Sequence, residues 1–178
     1  MASAVTVKVE GLAELGRALS AFPPALAKRY LRRATYEAAR AFADDAAQRA
    51  ASARLYKPAM EQIAKNIAVF ARRDVDPGTT AHYSVGVRRI KLSRKIKSVL
   101  RTLRRAGQGV RIENDTFFWH WFEFGTQDRH TKKGAYRGKI LAQPFLRPAF
   151  EAKKDASVEV FKAALAAGVD AAAREVAK

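Results

Sequence analysis

The chain predicts an α+β fold: one small antiparallel sheet of three to four strands, packed against N-terminal helices and a long C-terminal helix. Three observations lead there. Short runs carry strand-type patterns: Val5, Val7 and Val9 alternate with polar residues, as do Tyr83, Val85 and Val87 with Ser84 and Gly86, Ile67, Val69 and Ala71 recur at every second position, and a longer run from Val110 to Phe124 reads as a third strand. Apolar residues recur at helical spacing in the first 50 residues and again after Phe150. A length of 178 residues with 48% hydrophobic content is enough to bury one sizeable core, so a single domain over 1–178 is expected.

In chain order, Val5, Val7 and Val9 make the first short strand, which Gly11 ends. Leu12, Leu15, Leu19 and Phe22 mark a short helix. It stops at Pro23-Pro24, because proline lacks the helix donor and disfavours the α conformation before it. A second helix follows from about Ala25 to Ala51, with Leu26, Tyr30, Ala34, Ala38 and Phe42 as an apolar stripe whose small members permit close approach to a sheet. Met60 to Lys65 reads as one helical turn. Ile67, Val69 and Ala71 form a strand ending near Asp74, Asp76-Pro77-Gly78 a turn, and Tyr83, Val85 and Val87 a half-buried strand. Val158, Phe161, Leu165 and Val169 draw the C-terminal helix, with Gly168 a weak point near its end.

The stretch from Phe117 to Phe150 is the densest in information. As a strand it would place Phe118, His120, Phe122 and Phe124 on one face and Phe117, Trp119, Trp121 and Glu123 on the other. Both faces are then apolar. That fits a central strand with helices on both sides, or a strand whose second face a partner subunit covers. The strand ends at Phe124-Gly125-Thr126, where Gly125 is expected at positive φ so that the chain can swing away. Pro144, Phe145, Leu146, Arg147 and Pro148 then open the last helix, Pro148 suiting a first helical position. Phe145 and Leu146 are expected to plug the core, with Arg147 reaching an acid for which Glu123 is the leading candidate.

Lys and Arg number 34 against 17 for Asp and Glu, a formal charge of +17 that calls for a polyanion, an acidic partner or an assembly tolerating repulsion. Its placement is uneven. Residues 88–105 hold nine cations and no acid: Arg88, Arg89, Lys91, Arg94, Lys95, Lys97, Arg101, Arg104 and Arg105. Residues 129–139 hold five more, Arg129, Lys132, Lys133, Arg137 and Lys139. The remaining 20 cations nearly balance the 17 acids, so the excess sits in two basic insertions, 88–109 and 127–142, on a near-neutral scaffold. Ile90, Ile96, Val99, Leu100 and Leu103 interrupt the first, which fits either an amphipathic basic helix or a solvated loop that orders on assembly. A three-stranded meander would send the two arms in opposite directions along the strand axis, toward two different neighbours.

Catalytic constellations do not assemble from these residues. His82, His120 and His130 have no HExxH spacing, and the chain has no cysteine for a disulfide, a thiolate zinc site or a nucleophile. There is no Gly-x-Ser-x-Gly elbow and no phosphate-binding glycine loop. Glu113, Asp115, Glu123 and Asp128 read as carboxylates paired with arginines rather than as a nuclease metal site. A non-enzyme without cofactor or metal is expected. No apolar run reaches 18 residues and the first residues lack a signal-peptide pattern, so a soluble cytoplasmic product is expected.

Two segments, FFWHWFEFGT at 117–126 and AQPFLRPAF at 142–150, resemble in sequence and order the FYW-x-FLEFGT and ARPFLRPA motifs of a known family. It is the tail-completion or head-tail connector family of long-tailed double-stranded DNA phages, of the gene-product-ten type. The resemblance extends weakly over most of the chain, although the short Pro-x-x-Thr-Gly loop usual in the family is missing after Ser52. It implies a structural virion protein of the neck, acting as part of a ring between the tail terminus and the head-completion proteins. The implied partners are tail terminator, tail tube and head-completion proteins, other copies of itself and, non-specifically, the packaged DNA, with no membrane; the implied location is the virion, and the host cytoplasm during assembly. On this view Phe117, Trp119, Trp121, Glu123, Phe124, Gly125 and Thr126, with Pro144 to Pro148, form the interface, and the two basic arms reach a neighbouring ring or DNA. The alternative from another class is a free-standing basic module that tracks nucleic-acid phosphates.

Overall fold

The computed structural model describes residues 12–72, 80–89, 93–108 and 116–177. Its elements are α1 (Leu12–Ser20), α2 (Pro24–Ala51), α3 (Lys57–Asn66), β1 (Ile67–Ala71), β2 (Tyr83–Val87), α4 (Arg94–Arg105), α5 (Trp119–Phe124) and α6 (Leu146–Val176). The α+β expectation holds in its coarse form, helices with a small antiparallel sheet and a long C-terminal helix, but the sheet has two strands among the described residues. The Val5–Val9 strand and the Asp76-Pro77-Gly78 turn lie outside those residues. The chain divides into two compact units, one of residues 1–45, 69–86 and 147–178, the other of residues 46–68 and 87–146.

The first unit is built on helix packing. Pro24 takes the first position of α2, where its missing N–H is one the helix would leave unpaired anyway. Leu19, Tyr30, Ala34, Leu165 and Ala172 form its buried cluster, with Leu15, Leu26, Phe161 and Val169 packed around them. The α2 stripe at Tyr30 and Ala34 therefore meets the helix α6 and not a sheet, which corrects the sequence expectation. Gly168 explains how. A Cβ there would lie 3.0 Å from the Cβ and Cδ1 of Tyr30, so the glycine is a point of close approach of α6 to α2, not a weak point. Above it the Tyr30 hydroxyl accepts from Arg29 at 2.9 Å, and Glu175 bonds both side chains. Further along, Phe42 stacks on Phe150 at 5.4 Å, and the ring of Tyr36 meets Tyr83 of β2 edge-on at 5.8 Å.

The sheet is short and regular. Arg72 N–H donates to His82 O at 2.8 Å and Arg88 N–H to Asn66 O at 2.7 Å, which extends the pairing one residue beyond each end of the strands. Both bonds share one antiparallel register, placing Val69 opposite Val85.

In the second unit the largest correction falls on the aromatic run. Trp119–Phe124 is a helix, α5, and the third strand expected from Val110 to Phe124 does not exist over its described part, 116–124. With Phe or Trp at six of the eight positions 117–124, the two polar residues, His120 and Glu123, are too few to separate a period of 2 from one of 3.6. The helix is chosen by ring contacts four residues apart, Phe117 with Trp121 and Phe118 with Phe122, both at 5.6 Å. The two faces inferred from alternation therefore fall, and so does the argument that the basic arms leave opposite ends of a third strand.

In the same unit as α5, Met60 and Ile63 of α3 are essentially buried, and Phe145 is fully buried as expected. Tyr56, at φ 57 just before α3, lays its ring 5.2 Å from Phe122, and its hydroxyl accepts from Leu141 N–H at 3.1 Å. Thr116 is buried with its hydroxyl donating to Arg88 O at 2.6 Å, which ties the start of α5 to the end of β2.

Candidate interaction surface

The two motifs at 117–126 and 142–150 meet at one carboxylate. Glu123 is 5% exposed, and its Oε2 accepts from Phe145 N–H at 2.9 Å and Leu146 N–H at 3.0 Å. Those donors belong to the start of α6, whose first N–H groups have no partner within the helix, and the negative charge also complements the positive end of the helix dipole. Glu123 thus caps α6 from 22 residues upstream. Gly125 ends α5 at φ 72, ψ −179, a region essentially restricted to glycine, and confirms the expected positive φ. A Cβ there would stand 3.2 Å from Ala142 N and from Ile140 O, so the returning backbone is pressed onto it. Gln143 N–H donates to Phe122 O at 2.6 Å and completes the joint.

Pro148 sits at the third helical position of α6, not the first, still within the turn where a missing N–H costs little. Leu146 and Pro148 are half-buried, while Pro144 and Arg147 are exposed. Of the aromatic interface residues, Trp119 and Trp121 are half-buried, but Phe117 is 43% and Phe124 77% exposed. A phenyl ring so open at the end of a buried joint is the most conspicuous apolar group on this unit.

The first basic segment is a helix, which decides between the two alternatives left open by its composition. Both ends carry sequence signals that composition and periodicity alone overlook. Ser93 caps the start, its hydroxyl accepting from Ile96 N–H at 3.3 Å and its carbonyl from Lys97 N–H at 3.0 Å. Gly107, at φ 77, closes the end, with Gln108 N–H donating back to Leu103 O at 3.0 Å. Arg94, Lys95, Lys97, Arg101 and Arg105 are exposed on α4, to which Arg104 also belongs, and Arg88 and Arg89 are exposed beyond β2; Lys91 lies outside the described residues. Ile96 and Val99 share a face of α4 and are 49% and 56% exposed, while Leu100 and Leu103 on that face are half-buried.

The second basic segment is an irregular antiparallel hairpin, unforeseen as such from the sequence. Thr126 N–H donates to Ile140 O at 3.0 Å, Arg137 N–H to Arg129 O at 2.6 Å and Thr131 N–H to Ala135 O at 2.8 Å, while His130 bridges Tyr136, all in one register. Strand-like pairing thus occurs just after the aromatic run rather than in it. Lys132, Lys133, Arg137 and Lys139 are exposed. Arg129 is a strut and not part of the arm's tip: its guanidinium lies 5.6 Å from the Trp121 ring and donates to the Gly138 and Arg137 carbonyls at 3.4 and 3.3 Å. Tyr136 hydrogen-bonds Asp128 at 3.2 Å, and that carboxylate pushes the phenol above its ordinary range.

Neither the family models, nor the curated proteins, nor the solved structures compared with this chain contain a match to it. The candidate surface therefore stands on its own geometry: two cation-rich projections, α4 and the 126–140 hairpin, and the exposed Phe124, all within the unit of residues 46–68 and 87–146. Among the described residues no group of three or more His, Cys, Asp or Glu is placed to hold a metal ion. No helix among them is long and apolar enough to cross a membrane.

Proposed function

We propose that this chain is a structural protein of a phage neck, built into a ring that joins the tail terminus to the head-completion proteins. The observation that carries the reading is the joint at Glu123. The two motifs on which the resemblance rests are 16 residues apart in sequence, yet the carboxylate of one caps the helix that the other opens, and Gly125 of the first is packed on Ala142 of the second. Motifs that depend on one another physically are expected to be kept together, and their joint leaves Phe124 exposed in the same unit that carries the cations of α4 and of the hairpin. Such a surface suits permanent docking to neighbours rather than turnover of a substrate.

The test is genetic and structural. Disruption of the reading frame in its phage should leave full heads and complete tails that do not join, and the protein should appear in purified virions in several copies at the neck. Normal particles without the protein would sink the proposal. The second reading, a free-standing nucleic-acid-binding module, is favoured by the exposed cations of α4 and the hairpin. A binder of that kind loses affinity steeply as salt rises, because each neutralised phosphate releases counterions, whereas a neck protein should bind duplex DNA only weakly and without sequence preference.

A further inference from the structure

The exposed apolar face of α4 needs an occupant. Ile96 and Val99 stand side by side, about half exposed, on a helix whose other faces carry Arg94, Lys95, Lys97 and Arg101 and which contains no acid. Nucleic acid would use the cations and leave these two side chains in water. An interfacial bilayer helix ordinarily offers a broad apolar face with aromatic anchors, whereas α4 has none, and half of its apolar face, Leu100 and Leu103, is already partly covered. A narrow aliphatic ridge between cations fits a helix surface that is flat, apolar and edged with carboxylates.

The chain itself carries such a surface. On α6, Glu151, Asp155 and Glu159 recur every four residues as an exposed row, beside the exposed Ala152, Ala156 and Ala163. Alanines leave a floor low enough for Ile96 and Val99 to seat as a ridge at ordinary interhelical distance. The lengths agree, since α4 with 12 residues is about 18 Å long and the 151–163 row covers about the same. Glu151 and Glu159 each pair with a lysine three residues on, at 3.7 and 2.9 Å, but these are exposed pairs that a new cation displaces at little cost.

We infer that α4 of one copy docks on the outer face of α6, along Glu151, Asp155 and Glu159, in the next copy. The inference rests on the ring reading, which provides the next copy. The contact joins two different surfaces, so repetition closes a ring or extends a filament according to the rotation between copies. One helix on one helix is a small interface, sparsely populated in dilute solution and held in an assembly.

The absence of native cysteine makes the test clean. Full-length Val99→Cys chain is mixed at 0.15 M salt with tagged full-length Ala156→Cys chain and treated with a short bis-maleimide. The heterodimer should form at least tenfold faster than with a tagged Ala13→Cys chain, a position exposed on α1. Adding Glu151→Lys, Asp155→Lys and Glu159→Lys to the Ala156→Cys chain should slow it at least tenfold. Equal rates for the two partners, or indifference to the charge reversals, overturn the inference. So does a fluorophore on Val99→Cys that is shielded by a 30-base-pair duplex or by phosphatidylglycerol vesicles but not by a second copy. Virions that contain the chain but show no cross-link overturn this inference alone. A cross-link with the chain absent from virions overturns the neck reading alone.

Discussion

At the scale of single residues, Glu123 and Gly125 carry the second unit. Replacing Glu123 by Ala strands a buried and a half-buried N–H group, those of Phe145 and Leu146, at the start of α6 and removes a charge-assisted pair of bonds, a loss of about 3 kcal/mol. Glu123→Gln keeps an acceptor without the charge and should lose about 1 kcal/mol. Urea midpoints of the two variants check the order, and equal loss would mean that the carboxylate acts through packing alone. Gly125→Val meets two obstacles together, a backbone region closed to side chains and a Cβ at 3.2 Å from main-chain atoms of Ala142 and Ile140. The expected loss is about 3 kcal/mol or more; a parent-like midpoint would show that the turn readily changes its shape.

At the scale of elements, the α2–α6 crossing and the α4 helix behave oppositely. The crossing is tight at Gly168, so Gly168→Ala should destabilise by about 1 to 3 kcal/mol, although the same change in an open helix stabilises. Pairing it with Tyr30→Ala should recover part of that loss in a double-mutant cycle, and strictly additive values would place the strain elsewhere. Arg94, Lys95, Lys97, Arg101 and Arg105 of α4, by contrast, are exposed and bear no core. Changing Arg94, Lys95, Lys97, Arg101, Arg104 and Arg105 together to Ser should leave thermal melting of the protein within a few degrees of the parent. Joining of heads to tails should fall by at least tenfold in a complementation assay. Normal infectivity of that variant would remove α4 from the docking surface.

At the scale of the whole molecule, 17 excess positive charges set the behaviour of the free protein. Like charge opposes association over the long Debye length of a dilute buffer, about 30 Å at 0.01 M salt, so sedimentation at low salt should find mainly monomer. Raising salt to 0.15 M shortens that range to about 8 Å, screening the general repulsion more than close contacts between helices. A stable ring of the pure protein at low salt would contradict this account. On the neck proposal, assembly would then be driven by neighbours that neutralise the arms, with self-contact following.

By itself the sequence determined the elements whose period is unambiguous. The proline pair sets the break between α1 and α2, the apolar spacing of Val158, Phe161, Leu165 and Val169 sets α6, alternation of Ile67, Val69 and Ala71 and of Tyr83, Val85 and Val87 sets β1 and β2, and the glycine after Phe124 was placed at positive φ. Burial of Phe145 was legible for the same local reason, a large ring pinned between two prolines. Ser93 and Gly107 also marked the ends of α4, a signal that its dense charge concealed. The run from Phe117 to Phe124 was undecidable, because uniformly aromatic residues satisfy a strand and a helix equally, and contact between rings four apart made the choice. Gly168 read as a flaw in a helix because nothing local announces the Tyr30 ring that requires it. Glu123 read as the partner of an arginine, Arg147 foremost, and not as a helix cap for a similar reason: the backbone donors it serves lie 22 residues away, and only the folded chain brings the start of α6 to it. Period and turn chemistry are local and survive in the sequence, while close approach and long-range capping exist only once the elements have packed.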